Sequence, residues 1–240
     1  LLQAILDMIY PVCCPVCSKI VIPKGERICP SCREKLQYIK EPRCKKCSKP
    51  IEIEEKELCG DCEHKKFHFE KGYAVWVYDE TMKRSIANFK YHNKKEYAKF
   101  YIDEIVRLYG SVIKKLSVDA IVPVPLHPSK YRERGYNQAD ILAKGIGKKL
   151  ELPVISKLLL RTKKTLPQKK LSDKERFRNL QEAFQYNEKV TDAYQGKLTK
   201  VLLVDDIYTT GSTIEACSKQ LLTNGVKEVY FIILCIGKGF

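Results

Sequence analysis

From Lys71 onwards the spacing of apolar positions switches repeatedly between a period of about two and one of about 3.6 residues. KGYAVWVYDE (71–80) is rich in β-branched and aromatic residues and predicts a strand. Across 81–116, Ile86, Phe89, Phe100, Ile105 and Leu108 fall at helical spacing, which predicts one or two amphipathic helices. DAIVPVPLHPS (119–129) reads as a buried strand running into a proline-broken loop, NQADILAKGIGKKL (137–150) as a helix and PVISKLLLR (153–161) as a strand. SDKERFRNLQEAF (172–184) is charged and helix-compatible. TKVLLVDDIY (199–208) is a strand, STIEACSKQLLTNG (212–225) a helix stopped at Asn224-Gly225, and VKEVYFIILCIG (226–237) a last strand. Strands alternating with helices of moderate length predict an α/β fold with a doubly wound, mainly parallel sheet over 71–240. In such sheets ligands sit beyond the carboxyl ends of the strands. PVPLHPSKYRERGYNQ and VDDIYTTGST both lie at such ends.

Before residue 71 the pattern is of another kind. Cys14, Cys17, Cys29 and Cys32 are repeated thirty positions later by Cys44, Cys47, Cys59 and Cys62. Each set reads C-x2-C, eleven residues, C-x2-C, so CPVCSKIVIPKGERICPSC aligns with CKKCSKPIEIEEKELCGDC as an internal repeat. A C-x2-C turn holds two thiolates at the separation that tetrahedral zinc requires, and a hairpin brings the second pair across. The prediction for 1–70 is a double zinc ribbon with two structural zinc ions, ligand exchange between the halves being left open. So short a segment buries little core, so metal binding supplies its folding free energy. Cys13 reads as a bystander and His64 and His68 as surface residues. Cys217 and Cys235, in apolar segments, read as core thiols.

Charge adds a direction. The 240 residues carry 44 Lys and Arg against 29 Asp and Glu, a formal net charge of +15. Two tetrathiolate zinc centres at −2 each leave about +11. The stretch from Lys130 to Arg178 alone has 15 basic and 5 acidic residues. Such a zone suits phosphate-bearing partners, nucleotides, pyrophosphates or nucleic acid, against the plainer reading of a solubilising surface. No apolar run approaches the roughly eighteen residues needed to cross a bilayer, so no membrane insertion is expected. LLQAILDMIYP (1–11) reads as a short amphipathic helix rather than a secretory leader, and reduced thiolate clusters point to the cytoplasm.

The densest chemistry is KVLLVDDIYTTGST (200–213). An apolar strand ends in Asp205 and Asp206, and a hydroxyl-rich turn follows at once. Gly211 permits positive φ and close backbone approach. Thr209, Thr210, Gly211, Ser212 and Thr213, with their N–H groups and the start of a helix, make an anion cradle. Carboxylates are good acceptors for vicinal sugar hydroxyls and hold magnesium-bound water. The pair beside the cradle predicts a ribose 5-phosphate. Each half alone would be an Asx-type turn or a helix cap. Tyr208 is placed either against a base or ribose, or packed under the loop.

VLLVDDIYTTGST resembles the phosphoribosyl pyrophosphate motif of type I phosphoribosyltransferases. The order of double zinc ribbon, VPVPLHPSKYRERGYNQA, QKKLSDKERFRNLQEAF and the Asp-Asp loop resembles the ComF (ComFC) family of competence-associated, phosphoribosyltransferase-like proteins. The resemblance implies that Asp205 and Asp206 bind the ribose hydroxyls and that Thr209 to Thr213 hold the 5-phosphate. It implies that Val124, Pro125, Leu126 and His127 approach the pyrophosphate, with Lys130, Arg132 and Arg134 supplying charge, and that Gln168 to Phe184 form a loop closing over the site. Arg176, Arg178 and Asn179 are candidate contacts from that loop. It further implies Mg2+ with phosphoribosyl pyrophosphate, a part in DNA uptake in natural transformation alongside other uptake proteins, and contact with single-stranded DNA. A phosphoribosyltransferase of nucleobase metabolism and a ligand-sensing module without turnover are the alternative readings.

Overall fold

The computed structural model describes residues 11–163, 182–193 and 198–238. The helix expected before Pro11 and nearly all of the expected mobile loop, with Arg176, Arg178 and Asn179, lie outside the described residues. The strands are β1 (Lys71–Val77), β2 (Ala120–Pro123), β3 (Leu159–Arg161), β4 (Phe184–Tyr186), β5 (Lys200–Tyr208) and β6 (Glu228–Ile236). The helices are α1 (Pro30–Arg33), α2 (Gly60–His64), α3 (Glu80–Tyr91), α4 (Tyr97–Leu116), α5 (Pro128–Arg134), α6 (Gln138–Leu150), α7 (Glu188–Ala193) and α8 (Ser212–Thr223).

Four strands form the central sheet in the order β1-β6-β5-β2, all parallel. The fold is therefore α/β around a mainly parallel sheet. The near-continuous apolar runs of β5 and β6 have the composition of strands covered on both faces. Val201 and Leu203 of β5 enter one core with Ile214, Cys217 and Leu221 of α8, whereas Leu202 and Val204 enter the other with Ile86, Ile105 and Leu142. The region expected to hold one or two helices forms two, α3 and α4, separated where Asn93 turns left-handed with φ 54°. The start of β2 is tied to β5 by the Asp119 carboxylate, which accepts from the backbone N–H groups of Thr199 and Lys200 at 2.6 and 2.8 Å.

Two expectations are corrected. PVISKLLLR is not one strand of the sheet. The backbone around Val154 adds to β2, with Ile121 N donating to Pro153 O at 2.9 Å and Ile155 N to Ile121 O at 3.0 Å. The chain then turns at Ser156-Lys157, and β3 pairs antiparallel with β4 in a separate two-stranded sheet. The loop expected after β2 contains α5. Pro128 stands in its first turn, where a missing N–H costs nothing, and Gly135 ends it at φ +76°.

The ribbon segment is fastened to the sheet on two sides. Residues 37–39 run antiparallel to the outer edge of β1, with Ile39 N donating to Val75 O at 2.9 Å and Val77 N to Gln37 O at 2.8 Å. The first ribbon also docks on α4. Glu104, 4% exposed, accepts from Arg33 at 2.8 Å, Tyr38 at 2.6 Å and Arg107 at 2.7 Å. The second ribbon packs on the opposite face, in one core with Tyr208, Ile214 and Phe231.

Candidate metal centres and ligand rim

Each cysteine quartet gathers in space without exchange between the repeats. The sulfurs of Cys14, Cys17, Cys29 and Cys32, and separately of Cys44, Cys47, Cys59 and Cys62, lie within 4.8 Å of one another. The sulfur–sulfur distances are 3.9 Å for Cys17 to Cys29 and 3.6 Å for Cys47 to Cys59. Tetrahedral zinc with Zn–S near 2.3 Å requires about 3.8 Å, so both quartets fit the ion. The knuckles repeat in detail. Ser18 N donates to Cys14 O at 2.8 Å and Ser48 N to Cys44 O at 2.9 Å, with Ser18 and Ser48 left-handed at φ 61° and 69°. Cys13 stands outside both sets, with its thiol directed to Pro11 O at 3.7 Å. Cys217 and Cys235 are fully buried. His64 is exposed, and His68, its side chain 37% exposed, stands at the surface but is also tied down. Its N–H donates to Glu215 Oε2 at 2.8 Å, and its ring Nδ1 bonds the other oxygen of that fully buried carboxylate.

The two candidate loops meet at one rim. Parallel pairing sets Pro123 beside Val204, and Val124 N donates to Val204 O at 2.9 Å. Val124, Pro125, Leu126 and His127 therefore leave the sheet beside Asp205 and Asp206. Asn137, the N-cap of α6, donates to Val124 O at 2.9 Å and anchors the loop from behind. His127 Nδ1 accepts from Ser129 N at 3.2 Å, which assigns the neutral ring's proton to Nε2. At the end of β5, Thr209 and Thr210 are exposed, Gly211 is left-handed at φ +80°, and Ser212 and Thr213 open α8. Thr210 Oγ1 and Ser212 Oγ are hydrogen-bonded at 2.9 Å.

The adjacent acids do not project together. Successive strand residues face opposite sides, so Asp205 shares a face with Leu203 and Asp206 with Val204. Asp205 takes a hydrogen bond from Asp206 N at 2.9 Å. Burial, and then the Asp206 charge, push its carboxyl up to about 7. Asp206, 7% exposed, is paired with Lys90 of α3 at 2.8 Å. Burial disfavours the Lys90 ammonium, but Asp206 outweighs it and Lys90 is held above its ordinary value.

Of the three cations expected beside the rim, Arg134 is fixed between α3 and the start of α6. Its guanidinium lies over the Tyr91 ring at 4.8 Å, and it donates to Tyr91 Oη and Gln138 Oε1, both at 3.0 Å. Lys130 instead pairs with Glu133 at 2.7 Å along α5, and Arg132 is exposed. Lys90 was missed by sequence reasoning, because one lysine in an amphipathic helix reads as a solvated residue. Arg161 of β3 was missed too, and its charge acts to lower the Asp205 pKa. A cavity of about 610 Å³ opens between the first knuckle and α3, lined among others by Ser18, Lys35, Arg84, Asn88 and His92. No helix among the described residues is long and apolar enough to cross a membrane.

These features define a parallel α/β protein with two tetrathiolate ribbons fastened to its sheet and a polar rim at the carboxyl ends of β2 and β5. The double zinc ribbon domain family matches residues 5–63. The chain is 30% identical to Competence protein F of Haemophilus influenzae across 84% of this chain and 87% of that protein. It is 31% identical to DNA utilization protein YhgH of Escherichia coli across 74% of this chain and 77% of the relative. To Competence protein ComFC of Bacillus subtilis it is 28% identical, over 85% and 82%. The chain belongs to the ComF family of competence proteins.

Proposed function

We propose that this chain acts in DNA uptake and use, binding phosphoribosyl pyrophosphate at the rim of β2 and β5 and single-stranded DNA elsewhere on its basic surface. The observation that carries the ligand is the rim itself. The acids, the Gly211 turn and the loop of Val124, Pro125, Leu126 and His127 leave adjacent parallel strands together. In this reading Asp205 accepts from ribose hydroxyls, and Asp206 is held by Lys90 on the other side of the strand. The N–H groups and hydroxyls of 209–213 hold the 5-phosphate. His127 Nε2–H, the loop N–H groups and Arg134 face the diphosphate.

The corresponding reaction is phosphoribosyl transfer. The C1–oxygen bond to diphosphate breaks, the leaving group takes the electron pair, and positive charge grows on the ribose ring. A nucleobase-like acceptor nitrogen donates its lone pair to form the new bond at C1 and gives up its proton. A hard divalent cation fits the carboxylate and diphosphate oxygens, and Mg2+ when bound supplies charge against the leaving group. DNA contact is supported by the cavity beside the first ribbon, where Lys35 and Arg84 offer positive charge to a phosphate backbone.

Calorimetry with phosphoribosyl pyrophosphate and Mg2+ tests the rim. Asp205→Asn is expected to weaken binding by about 10- to 100-fold, the worth of charge-assisted hydrogen bonds. Equal affinity for both proteins sinks the assignment. Diphosphate release with a panel of nucleobases then separates transfer from ligand holding.

A further inference from the structure

The two ribbons, alike in sequence, stand in different relations to the rim. The first contacts α4 and the edge of β1. The second lies directly beneath the phosphate turn. A Cβ built on Gly211 would stand 2.2 Å from Tyr208 Oη and 3.1 Å from Phe67 Cε1, so the turn rests on those two rings with no space between. Phe67 follows the last cysteine of the second quartet by five residues. It stacks on Phe69 at 5.1 Å, Phe69 meets Tyr208 edge-on at 6.5 Å, and Tyr208 lies flat on Phe231 at 5.1 Å and 7°.

Ribbon residues close the other side of this stack. Lys49, 4% exposed and paired with Asp61 at 2.5 Å, sits 6.0 Å above the Tyr208 ring. Cys44, Cys47, Cys59 and Cys62 share one core with Phe67, Phe69 and Tyr208. Tyr208 Oη is buried with no hydrogen-bond partner among the described residues, so the ring is held by packing alone. The residue after Phe67 ties down the next element: His68 N–H bonds Glu215 in the first turn of α8, whose own N–H donates to Gly211 O at 2.9 Å.

We propose that the second ribbon is the floor of the phosphate turn, with Phe67 and Tyr208 as positioning residues, so that zinc at Cys44, Cys47, Cys59 and Cys62 sets the affinity for a ribose 5-phosphate group while zinc at the first quartet does not. The inference rests on the rim binding a phosphorylated ribose. Metal supplies the folding free energy of so small a ribbon. Loss of the second zinc would release Phe67 and Lys49 and leave Gly211 unsupported. The loop at 124–127 is anchored instead by Asn137 on α6 and by β5, outside the ribbon. A failed floor therefore separates the two halves of the ligand.

The experiment uses the zinc-loaded full-length chain and titrates ribose 5-phosphate and inorganic pyrophosphate separately. Phe67→Ala is expected to weaken ribose 5-phosphate at least about tenfold, by the loss of a buried ring, and to leave pyrophosphate unchanged. Phe67→Leu, which refills most of the volume, should restore most of the affinity. Cys62→Ser should lower bound zinc by one ion and reproduce Phe67→Ala, whereas Cys17→Ser should lower zinc equally and change neither ligand. Hydrogen exchange at 209–213 in the ligand-free protein should rise in Phe67→Ala and in Cys62→Ser but not in Cys17→Ser. Equal weakening of both ligands, a Cys17→Ser effect as large as that of Cys62→Ser, or unchanged exchange at 209–213 in Phe67→Ala would each overturn the inference. If the wild type binds no ribose 5-phosphate yet the exchange rises, the rim assignment fails and the floor stands as a structural support only.

Discussion

At the scale of single residues the acids of β5 have divided their work. Asp206 is committed to Lys90 in a nearly closed pair, whereas Asp205 is half-buried on the other side of the strand and pushed up to about 7. The unfolded carboxyl titrates near about 3.9. Between these values the folded chain binds more protons than the unfolded one, so Asp205 lowers stability progressively as pH rises, and its full cost is present above about 7. Asparagine does not titrate. The stability of Asp205→Asn relative to wild type should therefore increase from pH 6 to pH 8 in urea denaturation, and a constant difference would show that Asp205 carries no raised pKa. The acids stood out in the sequence because two adjacent carboxylates ending an apolar strand repel each other and disfavour a strand. Their divergence follows from strand alternation alone. The Lys90 pairing was not legible, since nothing in an amphipathic helix says which lysine turns inward to meet a partner 116 positions away.

At the scale of elements the decisive join is the turn from β5 into α8. Gly211 needs a left-handed backbone, and it also needs the space a side chain would take from Tyr208 and Phe67. Gly225 is left-handed as well, at φ +96°, but faces nothing within 4 Å. Alanine at Gly225 should cost about 1–2 kcal/mol from backbone strain. Alanine at Gly211 should cost a further 1–3 kcal/mol or so from overpacking. Chemical denaturation of the two variants measures the difference, and equal losses would mean the rings under the turn yield freely. The strands β1, β2, β5 and β6 were legible from composition and length. The segment 153–161 misled because its apolar residues serve two sheets in turn, three residues beside β2 and three in β3. Helix α5 was hidden because PSKYRER is too short to show a period and begins with a helix breaker that is harmless in a first turn.

At the scale of the whole molecule, charge and metal act together. With a formal net charge of +15 before zinc, binding of single-stranded DNA should weaken steeply as salt rises. If the strand crosses the cavity beside α3, Lys35→Ala and Arg84→Ala should each reduce the slope of log affinity against log salt by about one. Slopes identical to wild type would move the DNA path elsewhere. The double quartet was the most legible feature of the chain, because thiolate spacing is dictated by the metal rather than by the fold. The docking of the ribbons was not, since it rests on contacts between residues far apart in sequence such as Arg33 with Glu104 and His68 with Glu215. One of those contacts reaches beyond docking. Residues 37–39 occupy the outer hydrogen-bonding flank of β1, an otherwise bare border of the central sheet. Bare strand borders recruit strands from other molecules. Chelated protein should thus be more than a loosened monomer: with its hem undone, each copy offers the next a template, and turbidity would grow with concentration.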